Sequence, residues 1–179
     1  MGTRGTPMLD QLGQPFPPVD LRTLSGTATL GLTQRPESVR RAREFTRSTL
    51  MGWRIPEQFD SVGLVVSELV TNALRHGAGP RPTAGTGGVP SQSAAQPAAP
   101  VTVSRPLVEL ELMRCARRLI CAVQDPSGAL PRTSQPGSMD GSAESGRGLH
   151  LVECFSDGWG WRMLAGGRGK VVWAVFQTD

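Results

Sequence analysis

Residues 57–77 read EQFDSVGLVVSELVTNALRHG, and the fold turns on them. Phe59, Val62, Val65, Val66, Leu69, Val70, Ala73 and Leu74 recur at spacings of three and four, the signature of a helix face. They cover more than a narrow stripe. The spacing therefore predicts a largely buried helix from about Glu57 or Asp60 to His76, with Gly77 as its stop. Such a helix needs a second apolar layer to pack against.

The flanking segments supply that layer. Upstream, Thr27–Thr33 (TATLGLT) places Ala28, Leu30 and Leu32 on one face, as a short edge strand would. Pro36 then suits a first helical position. Val39, Ala42, Phe45, Thr49 and Leu50 follow at helical spacing up to Gly52–Trp53, with Arg40, Arg41, Arg43 and Arg47 mostly on other faces. Downstream, Leu107–Met113 and Leu119–Gln124 flank an Arg-rich turn at 114–118 and read as a hairpin. Leu149, Val152 and Phe155 have helical spacing. Trp159–Leu164 and Lys170–Phe176 form a second pair of strands around Gly166-Gly167-Arg168-Gly169. Helices segregated from antiparallel hairpins point to an α+β fold, a two-layer α/β sandwich.

Composition says what lies outside that core. The chain has 179 residues, of which 22 are Gly and 15 are Pro, about a fifth against a usual share of roughly 12%. They concentrate in residues 1–26, 77–106 and 126–148. The first segment reads as a disordered N-terminal arm. The second reads as a flexible insert at about 80–105, because so few large apolar groups cannot offset its ordering entropy. A domain over 27–179 remains.

Charge and cysteine usage narrow the function. Of 19 basic residues only Lys170 is a lysine, and the formal net charge is +4. Glu37 and Glu44 interrupt the one basic stretch, Arg35–Arg47, so no patch forms that would hold nucleic acid. No run approaches the 18 or so apolar residues a membrane span needs. The N-terminus lacks the apolar stretch of a secretory signal. Cys115, Cys121 and Cys154 are odd in number and form no C-x-x-C, which argues for a reducing, cytoplasmic setting over disulfides or zinc.

Three constellations could carry chemistry. Glu68 and Asn72 lie four apart and point the same way from a mostly apolar helix. Both could meet solvent or pair with Arg75. Alternatively Asn72 offers its oxygen to a hard cation such as Mg²⁺, and Glu68 orients or deprotonates a nucleophile. Asp125 ends a strand before Pro126-Ser127-Gly128, where it either starts a turn or accepts a hydrogen bond from an exocyclic amine. Ser145-Gly146-Arg147-Gly148-Leu149 opens a helix, and backbone N–H groups there suit an anion. This is neither the P-loop nor the dinucleotide spacing.

The stretches Glu68–Gly77, Asp125–Gly128 and Gly146–Leu149, in that order, resemble the N, G1 and G2 boxes of the GHKL (Bergerat) ATPase family. Within it the chain looks like the anti-sigma-factor serine/threonine kinases. The likeness covers about residues 27–177 without the insert. It implies a mixed, mostly antiparallel sheet with helices on one face, and ATP with Mg²⁺ as ligands. Asn72 matches the Mg²⁺-binding position and Glu68 the acidic residue proposed as catalytic base. Asp125 matches the reader of the adenine amino group. Gly128 stands in the G1 region, although the usual D-x-G-x-G would place glycines where Ser127 and Ala129 stand. Gly146, Arg147, Gly148 and Leu149 match the phosphate-cradling stretch, and residues 126–145 the ATP lid. Arg75 and His76 match the end of the N-box helix, where either contacts phosphate or caps the helix, the cap being favoured for His76. The final box usually carries a Thr that reaches the adenine site. The matching Gly169–Ala174 has none, and Lys170 receives no role.

The resemblance implies a kinase of an anti-sigma-factor antagonist of the STAS type, able also to bind a sigma factor; charge and hydropathy lead us to expect no direct nucleic-acid or membrane contact. Dimerisation is common in the family. His76 and His150 both fall inside the ATPase region, so autophosphorylation of a sensor-type histidine is not expected. The alternative is a module that sequesters a partner with weak or no nucleotide binding.

Overall fold

The computed structural model describes residues 23–76, 107–131 and 147–178. Residues 1–22, most of the expected lid, the expected insert and Gly146 lie outside them. The described elements are β1 (Leu24–Leu32), α1 (Ser38–Gly52), α2 (Phe59–His76), β2 (Val108–Cys115), β3 (Arg118–Asp125), α3 (Arg147–Phe155), β4 (Gly158–Met163) and β5 (Lys170–Gln177). The first strand thus begins inside the stretch read as an arm.

The five strands form one sheet in the order β1-β2-β3-β5-β4. β1 is an edge strand, as its short alternating pattern predicts. Every pairing is antiparallel, so the described sheet has no parallel component, against the expected mixed sheet. Hairpins impose this on β2–β3 and β4–β5, while β1–β2 and β3–β5 are antiparallel across the longer connections that carry the helices.

Strand alternation sends Leu110, Leu112, Leu119, Cys121, Val123, Val172, Ala174 and Phe176 to one face, where they are buried with Val62, Val65, Val66, Leu69 and Val70 of α2. The broad apolar surface of α2 is thereby accounted for. Its ends follow the helix dipole, with Asp60 in the first turn and Arg75 and His76 in the last. A smaller cluster of Met113, Cys115, Ile120, Ala122, Leu164 and Val171 is buried on the other face of the sheet.

The buried line of α1 is Ser38, Ala42, Thr46 and Leu50, a strict four-residue repeat of mostly small groups. Val39 and Phe45 are only partly buried against the core. The small residues let α1 approach closely, and Thr46 is accommodated because its hydroxyl donates to the Ala42 carbonyl at 2.8 Å. The arginines of α1 have structural work. Arg43 donates to Gly63 O at 2.9 Å and to Ser67 Oγ at 3.0 Å on α2. The guanidinium carbons of Arg43 and Arg47 lie 5.4 and 4.4 Å from the centre of the Phe59 ring. Two members of the basic stretch thus fasten α1 to α2.

Candidate functional site

The site forms where the C-terminal half of α2, the N-terminus of α3 and the ends of β3 and β5 converge. Glu68 and Asn72 stand one turn apart on α2, both half-buried. The first turn of α3 crosses them. A Cβ added to Gly148 would lie 2.8 Å from Glu68 Oε2, 3.2 Å from Asn72 Nδ2 and 3.6 Å from Asn72 Oδ1. A side chain at this position would have to push the Glu68 carboxylate aside and crowd the Asn72 amide. The unsatisfied N–H groups at the start of this nine-residue helix therefore stand beside a carboxylate and an amide.

The other end is built by strand register. Asp125, the last residue of β3, pairs across the ladder with Lys170, the first of β5. Both side chains project to the helix side. Lys170 Nζ donates to Asp125 Oδ1 at 2.9 Å, and the two side chains are only 7% and 2% exposed. The same Oδ1 accepts the Ser127 N–H at 2.8 Å, closing an Asx turn. The Ala129 N–H then donates to Ser127 Oγ at 3.1 Å. Ser127 and Ala129, which depart from the usual glycine pattern, thus shape the chain as it leaves the strand. Burial pushes the Asp125 carboxyl above its ordinary range. Lys170, the Ser127 N–H and the charge of His76 pull it back only in part.

Between these ends lies a cavity of about 520 Å³, within the usual range for small-molecule sites. Leu69, Ala73, Val123, Leu149 and Val172 give it apolar walls. Asn72, His76, Asp125 and Lys170 supply its polar groups, and Ala129, Leu130 and Pro131 border it. Its size and lining suit a small ligand with a hydrogen-bonding edge, held against apolar side chains.

Asn72, Asp125 and Leu149 therefore share one cavity, with Gly148 and Glu68 against Asn72. Gly128 is not among the lining residues, and a Cβ there would meet nothing within 4 Å, so space does not demand glycine. Arg147 begins α3. Gly146 is outside the described residues. Two further lining residues are Lys170 and His76; the latter ends α2, where a cap was favoured over a phosphate contact. No local sequence pattern places Lys170 beside Asp125; their pairing appears only in the sheet register. The signal of Lys170 as the sole lysine carried no direction.

Among the described residues no three His, Cys, Asp or Glu side chains group to hold a metal ion. The donor set around Asn72 fits Mg²⁺, which takes few protein oxygens and completes its shell with water and phosphate. Among the described residues no helix is long and apolar enough to cross a membrane. A family model described as Histidine kinase-like ATPase domain matches residues 32–176. No curated protein matches the chain.

Proposed function

Because the chain belongs to the histidine kinase-like ATPase family, we propose that it is an ATP-dependent serine/threonine kinase and anti-sigma factor, whose substrate is an anti-sigma-factor antagonist of the STAS type. The observation that carries this reading is the meeting of Glu68, Asn72 and Gly148 at the N-terminus of α3, at one end of a cavity with Asp125 at the other.

Each residue has a separable task. Asp125 accepts the adenine amino hydrogen, and the apolar walls hold the ring. The backbone of α3 from Gly148 onward cradles phosphate oxygens. Asn72 offers its side-chain oxygen to Mg²⁺, which when bound neutralises charge on the phosphates. Glu68, whose Oε2 stands 2.8 Å from where a Cβ on Gly148 would lie, serves as the base. A Ser or Thr hydroxyl oxygen of the partner attacks the γ-phosphorus, the bond to the β-phosphate oxygen breaks, ADP departs, and Glu68 receives the hydroxyl proton. Positioning supplies most of the acceleration.

The test mixes the full chain with Mg²⁺ and γ-³²P-labelled ATP and candidate antagonist proteins. Label on a partner Ser or Thr that disappears in Glu68→Ala is the expected result. Partner binding without transfer, unaffected by Asn72→Ala, would replace the kinase with a module that only sequesters.

A further inference from the structure

We propose that Lys170 reads the nucleobase directly, its ammonium donating to adenine N1 while Asp125 accepts from the neighbouring N6 amino group. This rests on the nucleotide reading above and adds a specificity-determining residue to it.

The donor count carries the argument. An ammonium has three N–H donors and no acceptor. Lys170 directs one to Asp125 Oδ1 at 2.9 Å and reaches Ser127 O at 3.4 Å with another. Among the described residues these contacts use two of the three. Among the described residues the partners of Asp125 converge likewise on one oxygen, since Ser127 N–H and Lys170 both bond Oδ1. The second oxygen, Oδ2, is then the acceptor offered to a ligand. Lys170 and Asp125 both line the cavity, so a donor and an acceptor stand side by side against its apolar walls.

That pair has a chemical complement. The Watson–Crick edge of adenine presents the N6–H donor next to the N1 lone pair, so it matches the carboxylate and ammonium in order. Guanine read in the same frame offers O6 to the carboxylate and N1–H to the ammonium, two mismatches. The pair is also neutral as a whole, so the base end of the cavity does not repel a polyphosphate as a bare buried carboxylate would.

The competing account makes Lys170 a counter-ion of Asp125 that never touches the base. Titration calorimetry of the full chain with Mg²⁺ and ATP, 1-deaza-ATP, 7-deaza-ATP and GTP separates the two. The expected order is ATP equal to 7-deaza-ATP, with 1-deaza-ATP weaker by about tenfold or more, because a buried donor loses its acceptor. GTP should bind more weakly than ATP. In Lys170→Met, ATP and 1-deaza-ATP should converge. Equal binding of ATP and 1-deaza-ATP by the native protein overturns the proposal without any variant. So does a preference for 1-deaza over ATP, or for GTP. Discrimination at N1 that survives in Lys170→Met assigns the contact to a water and overturns it as well. If ATP itself fails to bind, the nucleotide reading falls and takes this inference with it, a result distinct from the others.

Discussion

Gly148 runs so close to Glu68 that a Cβ on it would stand 2.8 Å from Oε2. Residues eighty positions apart are thus coupled through the absence of one methyl group. The crossing point also touches Asn72, so any displacement of α3 is felt by both polar side chains of α2.

Gly148→Ala should therefore separate function from stability. The obstructing atom is the end of a flexible side chain, which can swing aside. An alanine within a helix is worth about 0.5–1 kcal/mol over glycine. The variant is expected to melt at or above the native temperature while binding ATP at least about tenfold more weakly. A thermal melt and a titration on the same preparation check this. Native ATP affinity would show that the close approach has no functional weight.

Gly169 presents the opposite case. Its φ is +110°, and a Cβ there would overlap the Asp125 carbonyl oxygen and lie 2.7 Å from Pro126 Cα. Both obstacles are backbone and neither can rotate away. Gly169→Ala should cost about 2–4 kcal/mol of folding stability through strain and clash together, and should disturb the Asp125–Lys170 pair. Urea denaturation measures the first effect. A loss under 1 kcal/mol would mean the β5 start relaxes freely.

The uneven legibility of the molecule follows from where its information lies. α2 was readable because eight apolar residues repeat with the helical period, a signal internal to eighteen residues. Glu68 and Asn72 could be placed on one face for the same reason. The buried line of α1 was misread because Ser38 and Thr46 are polar by type and buried only through packing and hydrogen bonds supplied by the fold. Lys170 was missed because its role exists only across the ladder. Forty-five residues separate it from Asp125 in sequence, and the pairing depends on a register that no local pattern states. The expected mixed sheet came from the family likeness, and the described strands are joined in a purely antiparallel order.

The buried pair makes a double-variant prediction. Lys170→Met alone leaves Asp125 without its cation in a site where the carboxylate side chain is 2% exposed. Breaking one side of such a pair costs roughly 3–5 kcal/mol. Replacing both, as Asp125→Leu with Lys170→Met, removes the desolvation penalty too and should recover most of that loss. Equilibrium unfolding of the two singles and the double gives the coupling energy. Additive losses would show that the pair contributes no mutual stabilisation.

Thiol reactivity should distinguish the three cysteines. Burial raises the Cys115 thiol and pushes Cys121 up to about 12, so neither is a ready thiolate at neutral pH. Cys154 is exposed, with its Sγ 3.7 Å from His150 Nε2. Brief treatment of the folded protein with iodoacetamide should add one equivalent, located on Cys154 by peptide mass. Modification of Cys121 before unfolding would contradict its placement in the core.

Acid should move stability and nucleotide binding in opposite directions at Asp125. Its carboxyl titrates above the ordinary 3.8, chiefly because burial disfavours the charged form, with Lys170, the Ser127 N–H and His76 opposing. A group whose folded pKa is raised binds more protons folded than unfolded. Its contribution to stability is thus fully present below the ordinary value and is lost as pH rises through the raised one. The stability of the native protein relative to Asp125→Asn should therefore fall with rising pH across that window. Reading the adenine amino group instead needs the carboxylate as acceptor, so ATP affinity should drop as pH falls through the same raised value, before an ordinary aspartate would protonate. Urea midpoints and ATP titrations at matched pH, stepped down from neutrality to the ordinary carboxyl value, test both halves. ATP affinity that stays flat through the window while the stability difference changes would place the base away from Asp125.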